Sequence, residues 1–166
     1  MKAVIKPSKS AGKVKIPPSK SMAHRAIICA SLADGKSVIS NIDYSVDITT
    51  TIECMRSLGA DIHCDGDTVT VQGIKNFNSL KNNKIECNES GSTLRFLIPL
   101  FSLTNQKITF TGKNRLLKRP QKIYEEIFTD AGLFFAQDEE KIQICGAIPA
   151  GEYTVAGGVS SQFISG

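Results

Sequence analysis

An α/β fold built from repeated β-α-β-α-β-β units is what this sequence predicts, and three observations carry that prediction. The first is self-similarity. Ser19-Lys20-Ser21-Met22-Ala23-His24-Arg25, ahead of an apolar run, is answered by Glu89-Ser90-Gly91-Ser92-Thr93-Leu94-Arg95 ahead of another, so that Arg25 and Arg95 lie 70 positions apart. The second is punctuation: Gly59 pairs with Gly132 and Gly73 with Gly146, each pair 73 apart. The third is that helical and strand periodicities alternate along each unit, as helices packed on sheets require. The units run over about 18–79 and 80–155, and a third opens at 156–166.

Each element has a local reason. Met22, Ala23, Ala26, Ile27, Ala30 and Leu32 fall near one helical face, and Gly35 stands where a C′ glycine would end the helix. A strand follows at Ser37–Ile42. Ser45 and Asp47 are N-cap candidates for a second helix that turns Ile48, Ile52, Met55 and Leu58 inward and closes at Gly59. Ile62-His63-Cys64 and Thr68–Val71, joined through Asp65-Gly66, read as a hairpin with a tight primed turn. The second unit repeats the order: a helix from about Gly91, a strand Lys107–Thr111, a helix Gln121–Asp130 with Pro120 at its start, and paired strands near Leu133–Ala136 and Lys141–Cys145. Strands around Ile16 and Ile85 precede the two units. Val159-Ser160-Ser161-Gln162-Phe163 opens a third helix about two turns before Gly166, so the sequence is expected to be a piece of a longer protein.

Composition narrows the function. The chain has 166 residues, 41% of them hydrophobic and 22% charged, with a formal net charge of +4. This is an ordinary globular balance whose mild basic excess suits small anions better than nucleic acid, which calls for a denser stripe and more stacking aromatics. Five cysteines without a C-x-x-C pair indicate neither a disulfide framework nor a zinc site, and point to reduced thiols in a cytoplasmic protein. No apolar run approaches the roughly 20 residues of a membrane span, and Met1–Lys20 lacks the apolar stretch of a secretory signal.

The three unit starts attract attention as anion sites, because free N–H groups at a helix N-terminus and the helix dipole favour phosphate or carboxylate. Lys20, Ser21 and Arg25 share a face and converge on one anion, against the alternative of solvated surface cations. Arg95 reads either as a ligand or as the partner of a carboxylate such as Asp47, which is itself an N-cap candidate. Lys113, Arg115, Lys118 and Arg119 crowd one loop. His24 and His63 have no second ligand at a useful spacing and read as structural.

These residues give the sequence a close resemblance to the N-terminal part of the 5-enolpyruvylshikimate-3-phosphate synthase family. The matching pieces are Pro18-Ser19-Lys20-Ser21 with Arg25, Glu89 through Arg95, Thr111-Gly112-Lys113-Asn114-Arg115 with Arg119-Pro120, and Val159 through Phe163. They occur in the family's order along nearly the whole chain. The resemblance implies the enolpyruvyl transferase fold, an inside-out α/β barrel, with 18–166 as an incomplete N-terminal domain and 1–17 as a strand segment belonging to the other domain. It implies transfer of the enolpyruvyl group of phosphoenolpyruvate to the 5-hydroxyl of shikimate 3-phosphate, with no cofactor and no metal. Carried over by position, Lys20, Ser21, Arg25, Ser160, Ser161 and Gln162 hold shikimate 3-phosphate, while Lys20, Gly91, Arg115 and Gln162 hold phosphoenolpyruvate, with Asp47 and Arg95 in support. The proton-transferring carboxylate is expected in a later part of the family's chain, so this chain alone is expected to be inactive. Family members are usually monomeric, with self-association of this chain through its ends a further expectation.

Two departures from the family pattern stand beside the phosphoenolpyruvate and glyphosate strip: Glu89 where many members have Asn, and Phe96 where many have Pro. Competing readings are a non-catalytic anion-binding module, a transferase acting on UDP-N-acetylglucosamine, and an RNA-binding domain. The truncated third unit argues against the module, the Pro-Ser-Lys-Ser and Ser-Ser-Gln-Phe runs against the sugar transferase, and the absence of Trp and of a basic stripe against RNA.

Overall fold

A computed structural model describes residues 4, 9, 11–77 and 80–165. Within them the two units appear as two sheets with the same strand order. The first unit comprises α1 (Lys20–Leu32), β1 (Lys36–Ile39), α2 (Val46–Leu58), β2 (Asp61–Asp65) and β3 (Thr68–Gln72), and its antiparallel sheet runs β1-β3-β2. The second comprises β4 (Lys84–Glu86), α3 (Gly91–Ser102), β5 (Ile108–Thr111), α4 (Lys122–Asp130), β6 (Phe134–Gln137) and β7 (Lys141–Cys145). Its sheet runs β4-β5-β7-β6, the last three strands matching β1-β3-β2, with β4 added in parallel to β5 through the α3 crossover.

The helices start where short polar side chains can satisfy free amides. Ser19, Ser45 and Ser90 cap α1, α2 and α3, each Oγ accepting from the N–H three residues on. Ser45 is therefore the cap of α2, and Asp47 lies in its first turn. Ala23, Ile27 and Ala30 on α1 and Ile48, Ile52, Met55 and Leu58 on α2 are buried against Val69 and Val71 of β3. Gly59 ends α2 at φ 122°, whereas α1 ends at Ala33, two residues before Gly35. At the close of the first unit Gly73 lies so near the end of α1 that a Cβ there would sit 1.9 Å from the Ala33 carbonyl oxygen.

Several details differ from the sequence expectation. The hairpin register pairs Asp65 with Thr68, so the turn is Gly66-Asp67 and Gly66 takes φ 55°. The first strand is Lys36–Ile39 and stops short of Ile42, which is buried beyond it. Pro120 stands one residue before the N-cap Gln121 and so outside the first turn of α4. Residues 11–19 contain no strand, and Ile16 is 81% exposed: the segment meets no sheet edge among the described residues, and a lone extended chain leaves its backbone to water. The remainder of the expected 1–17 strand segment, apart from residues 4 and 9, lies outside the described residues.

A third helix start is present as the short α5 (Gln162–Ser165), which buries Phe163. Helix α3 contains Pro99, which lacks the N–H that would bond the Arg95 carbonyl four residues back. The buried Tyr124 of α4 fills the gap, its hydroxyl donating to the Arg95 carbonyl at 2.6 Å. No described helix is long and apolar enough to cross a membrane.

Candidate functional site

The start of α1 carries the first cluster. Lys20 is half exposed and its Nζ lies 2.5 Å from Asp47 Oδ2 in the first turn of α2. One turn later, Arg25 Nη1 donates to Ser21 Oγ at 2.7 Å and to the Ser21 carbonyl at 3.1 Å, while Nη2 donates to Ser165 Oγ at 2.9 Å. The Cζ of the same guanidinium lies over the Phe96 ring, 4.7 Å from its centroid.

The start of α3 carries the second. Gly91 leaves room for Arg119, since a Cβ there would stand 3.0 Å from Arg119 Nη1. Arg95 Nη1 donates to Gln162 Oε1 at 2.9 Å, and Gln162 Nε2 donates to Ser92 Oγ at 2.7 Å, which ties α5 to α3. Arg95 Cζ in turn lies over the Phe163 ring, 4.9 Å from its centroid. Burial, then the nearby positive Arg119, holds the Arg95 pKa below its ordinary value, and Tyr124 opposes the shift. Beside Gly91, Glu89, Lys113, Asn114, Arg115, Leu116 and Arg119 line a cavity of about 410 Å³. Asn114 donates to Glu89. Among the described residues, Lys113, Arg115 and Arg119 have no ion pair, so the cavity keeps an uncompensated positive charge.

A buried polar chain joins the two clusters. His24 Nδ1 lies 2.7 Å from Thr51 Oγ1, which lies 2.8 Å from Thr93 Oγ1, which donates to Ser90 Oγ at 2.7 Å. With Thr93 donating to Ser90, the single Thr51 hydroxyl proton goes to Thr93 or to the Asp47 carbonyl at 3.3 Å, and either way Nδ1 is left as the protonated nitrogen of His24. Its Nε2 is buried without a partner. Burial lowers the His24 pKa to about 4, with Lys20 and Arg25 acting in the same direction and Asp47 against, so the ring is neutral near pH 7. The cap of α3 is thereby fixed to α1 through uncharged groups.

The expected site residues thus fall into two adjoining clusters. Lys20, Ser21, Arg25 and Asp47 gather at the start of α1, and Gly91, Arg95, Arg115 and Gln162 at or beside the start of α3. Asp47 pairs with Lys20 and not with Arg95, whose polar partner is Gln162. Ser160 Oγ accepts from the Gln162 amide and the Ser161 carbonyl accepts from Ser165, so these serines shape α5, and it is Ser165 that reaches Arg25. Sequence reasoning missed Ser92, Ser165 and the Thr51–Thr93 link, because each depends on a neighbour from another unit. Only the repeat itself, which aligns Ser92 with Met22 and Arg95 with Arg25, hinted that the helix starts meet.

Comparison with known proteins bears on what this arrangement is. Residues 4–166 match the model of the EPSP synthase family, described as 3-phosphoshikimate 1-carboxyvinyltransferase. The chain belongs to the EPSP synthase family. It is 52% identical over 167 residues to a 3-phosphoshikimate 1-carboxyvinyltransferase of Clostridium perfringens, covering 99% of this chain and 39% of that protein. A relative of the same name from Clostridioides difficile is 46% identical over 173 residues, covering 98% of this chain and 40% of that one. A solved EPSP synthase from Acinetobacter baumannii superposes with a TM-score of 0.78 at 24% identity, over 93% of this chain and 37% of that one, a likeness of fold. The chain therefore spans about two fifths of the length of the EPSP synthases it resembles.

Proposed function

We propose that this chain supplies the shikimate 3-phosphate face, and part of the phosphoenolpyruvate face, of a 3-phosphoshikimate 1-carboxyvinyltransferase. In that reaction the 5-hydroxyl oxygen bonds to carbon 2 of phosphoenolpyruvate, the bond from that carbon to the phosphate oxygen breaks, and phosphate leaves with the hydroxyl proton passing to a base. Lys20, Ser21 and Arg25, with Ser160, Ser161 and Gln162, hold shikimate 3-phosphate. Gly91 and Arg115, with Lys20 and Gln162, hold phosphoenolpyruvate, and Asp47 and Arg95 orient Lys20 and Gln162. The observation that carries this reading is the pair of adjoining helix starts whose cations Arg25, Arg95, Arg115 and Arg119 have no carboxylate partner among the described residues, in a chain of this family.

The physical need is clear. Two anions brought to about 4 Å repel by about 4 kcal/mol at an effective dielectric of 20, and fixed cations must offset that before the reacting atoms can meet. Helix amides and guanidinium forks at the α1 and α3 starts offer that compensation without reorganising as charge moves.

Calorimetric titration of the chain with shikimate 3-phosphate tests the assignment. Arg25→Ala should weaken binding about 10- to 100-fold, the scale of one charge-assisted hydrogen bond. Equal binding by Arg25→Ala and the parent chain would remove Arg25 from the site.

A further inference from the structure

A cation anchored by a neutral group keeps its whole charge for an anion. Four cations among the described residues are instead held by carboxylates: Lys20 by Asp47 at 2.5 Å, Arg56 by Glu53 at 2.6 Å, Lys118 by Glu139 at 2.9 Å and Lys122 by Glu126 at 3.6 Å. Arg25 and Arg95 differ. Neither has a carboxylate partner among the described residues, and each lies instead on the face of a phenylalanine that is 5% exposed. The two contacts are related by the internal repeat. Arg25 and Arg95 occupy equivalent places in the first and second units, and each rests on an aromatic ring from the unit that follows: Phe96 of α3 under Arg25, Phe163 of α5 under Arg95.

We propose that Phe96 and Phe163 are positioning residues, which hold the Arg25 and Arg95 guanidinium planes through their faces and leave charge and edge donors for ligand. A stacked guanidinium keeps its N–H fork in plane and free, which an ion pair would consume. Arg25 spends its edge on Ser21 and Ser165, neutral hydroxyl-bearing residues that a phosphate can displace or join, and Arg95 spends one donor on Gln162. The ring quadrupole thus replaces a carboxylate as anchor at no cost in net positive charge. This deepens the function proposed above and rests on it for the identity of the ligand.

The test compares Phe96→Leu and Phe96→Tyr with the parent chain. Leucine fills the volume without the ring, and tyrosine keeps the ring, in a residue that borders a cavity of about 240 Å³ with Pro99, Leu100, Leu103 and Ile148. Calorimetry with shikimate 3-phosphate should show Phe96→Leu binding about 3- to 10-fold more weakly, from loss of the cation–π contact, and Phe96→Tyr within about 2-fold of the parent. Equal binding by Phe96→Leu, or a tyrosine variant as weak as the leucine one, would overturn the proposal. If the parent chain fails to bind shikimate 3-phosphate, the functional reading falls and the positioning claim is decided by arginine side-chain NMR. Hindered rotation of the Arg25 guanidinium should then persist in Phe96→Tyr and be lost in Phe96→Leu; identical rotation in all three would refute it. Should Phe96→Leu not fold, Phe163→Leu and Phe163→Tyr are read in the same way at Arg95.

Discussion

Ile16 and Ile85 stand before the first helix of their respective units, in Lys13-Val14-Lys15-Ile16 and Lys84-Ile85-Glu86-Cys87, which both alternate charged and apolar residues, yet their fates differ. Ile85 lies in β4, 1% exposed, paired in parallel with β5 through Phe110. Ile16 belongs to no strand and is 81% exposed. The remaining elements of the two units correspond strand for strand: β1-β3-β2 repeats as β5-β7-β6. What separates the two isoleucines is pairing: β1 ends its sheet with an open edge, as β5 would without β4, but residues 11–19 do not pair with it, whereas β4 pairs with β5. A strand pattern in sequence is a statement about one chain segment, and a strand requires two.

That contrast is broken most forcefully by truncating both positions. Ile85→Ala should cost about 2–5 kcal/mol by chemical denaturation, as removal of buried methyl groups does, and Ile16→Ala should fall within about 0.5 kcal/mol of the parent. Similar losses at both would mean that 11–19 is packed after all.

A second contrast lies one residue before each arginine, where the repeat sets His24 against Leu94, both buried. Because the His24 pKa in the folded chain is about 4 against 6.5 for a free histidine, the unfolded chain binds the proton first as pH falls. Stability is complete above the unfolded value and is lost through the window between 6.5 and 4, by about 2 kcal/mol from pH 7 to pH 5. Replacing His24 with leucine, the residue of the second unit, should flatten that part of the stability profile. An unchanged slope in urea titrations over the same range would show that other groups carry it.

The helices themselves provide the third. Helix α3 has Pro99 and borrows the Tyr124 hydroxyl for the Arg95 carbonyl, while α1 has no proline and needs no such donor. Tyr124→Phe leaves a buried acceptor unpaired and should destabilise the chain by about 1–3 kcal/mol. A cost near zero would imply that another donor reaches that oxygen. The smallest effect belongs to the exposed pair at the first helix start: Asp47→Asn should change stability by less than about 1 kcal/mol, in a thermal melt at low and high salt.

Much of this was legible in the residues. The serine cap at 45, the inward faces of the helices and the paired strands follow from local chemistry, and the repeat predicted the correspondence of the two sheets. The candidate site was legible as a set of cations at helix starts. Its internal connections were not, since the His24–Thr51–Thr93–Ser90 chain and the two arginine stacks each cross from one unit or helix to another, and spacing along the chain carries no record of them. The Gly66-Asp67 turn shows the same limit on a small scale, where cross-strand register moved the turn by one residue from the Asp-Gly pair that suggested it.

The account rests on the claim that the α1 start and α5 together receive shikimate 3-phosphate, and amide NMR during titration of the 166-residue chain with that compound tests it most directly. The result expected is a saturable set of shifts centred on Lys20–Arg25 and Ser160–Gln162, needing about 10- to 100-fold more ligand in Arg25→Ala, with the signals of β6 and β7 unmoved. Saturable shifts centred on β6 and β7, or no shifts at millimolar ligand, would contradict it.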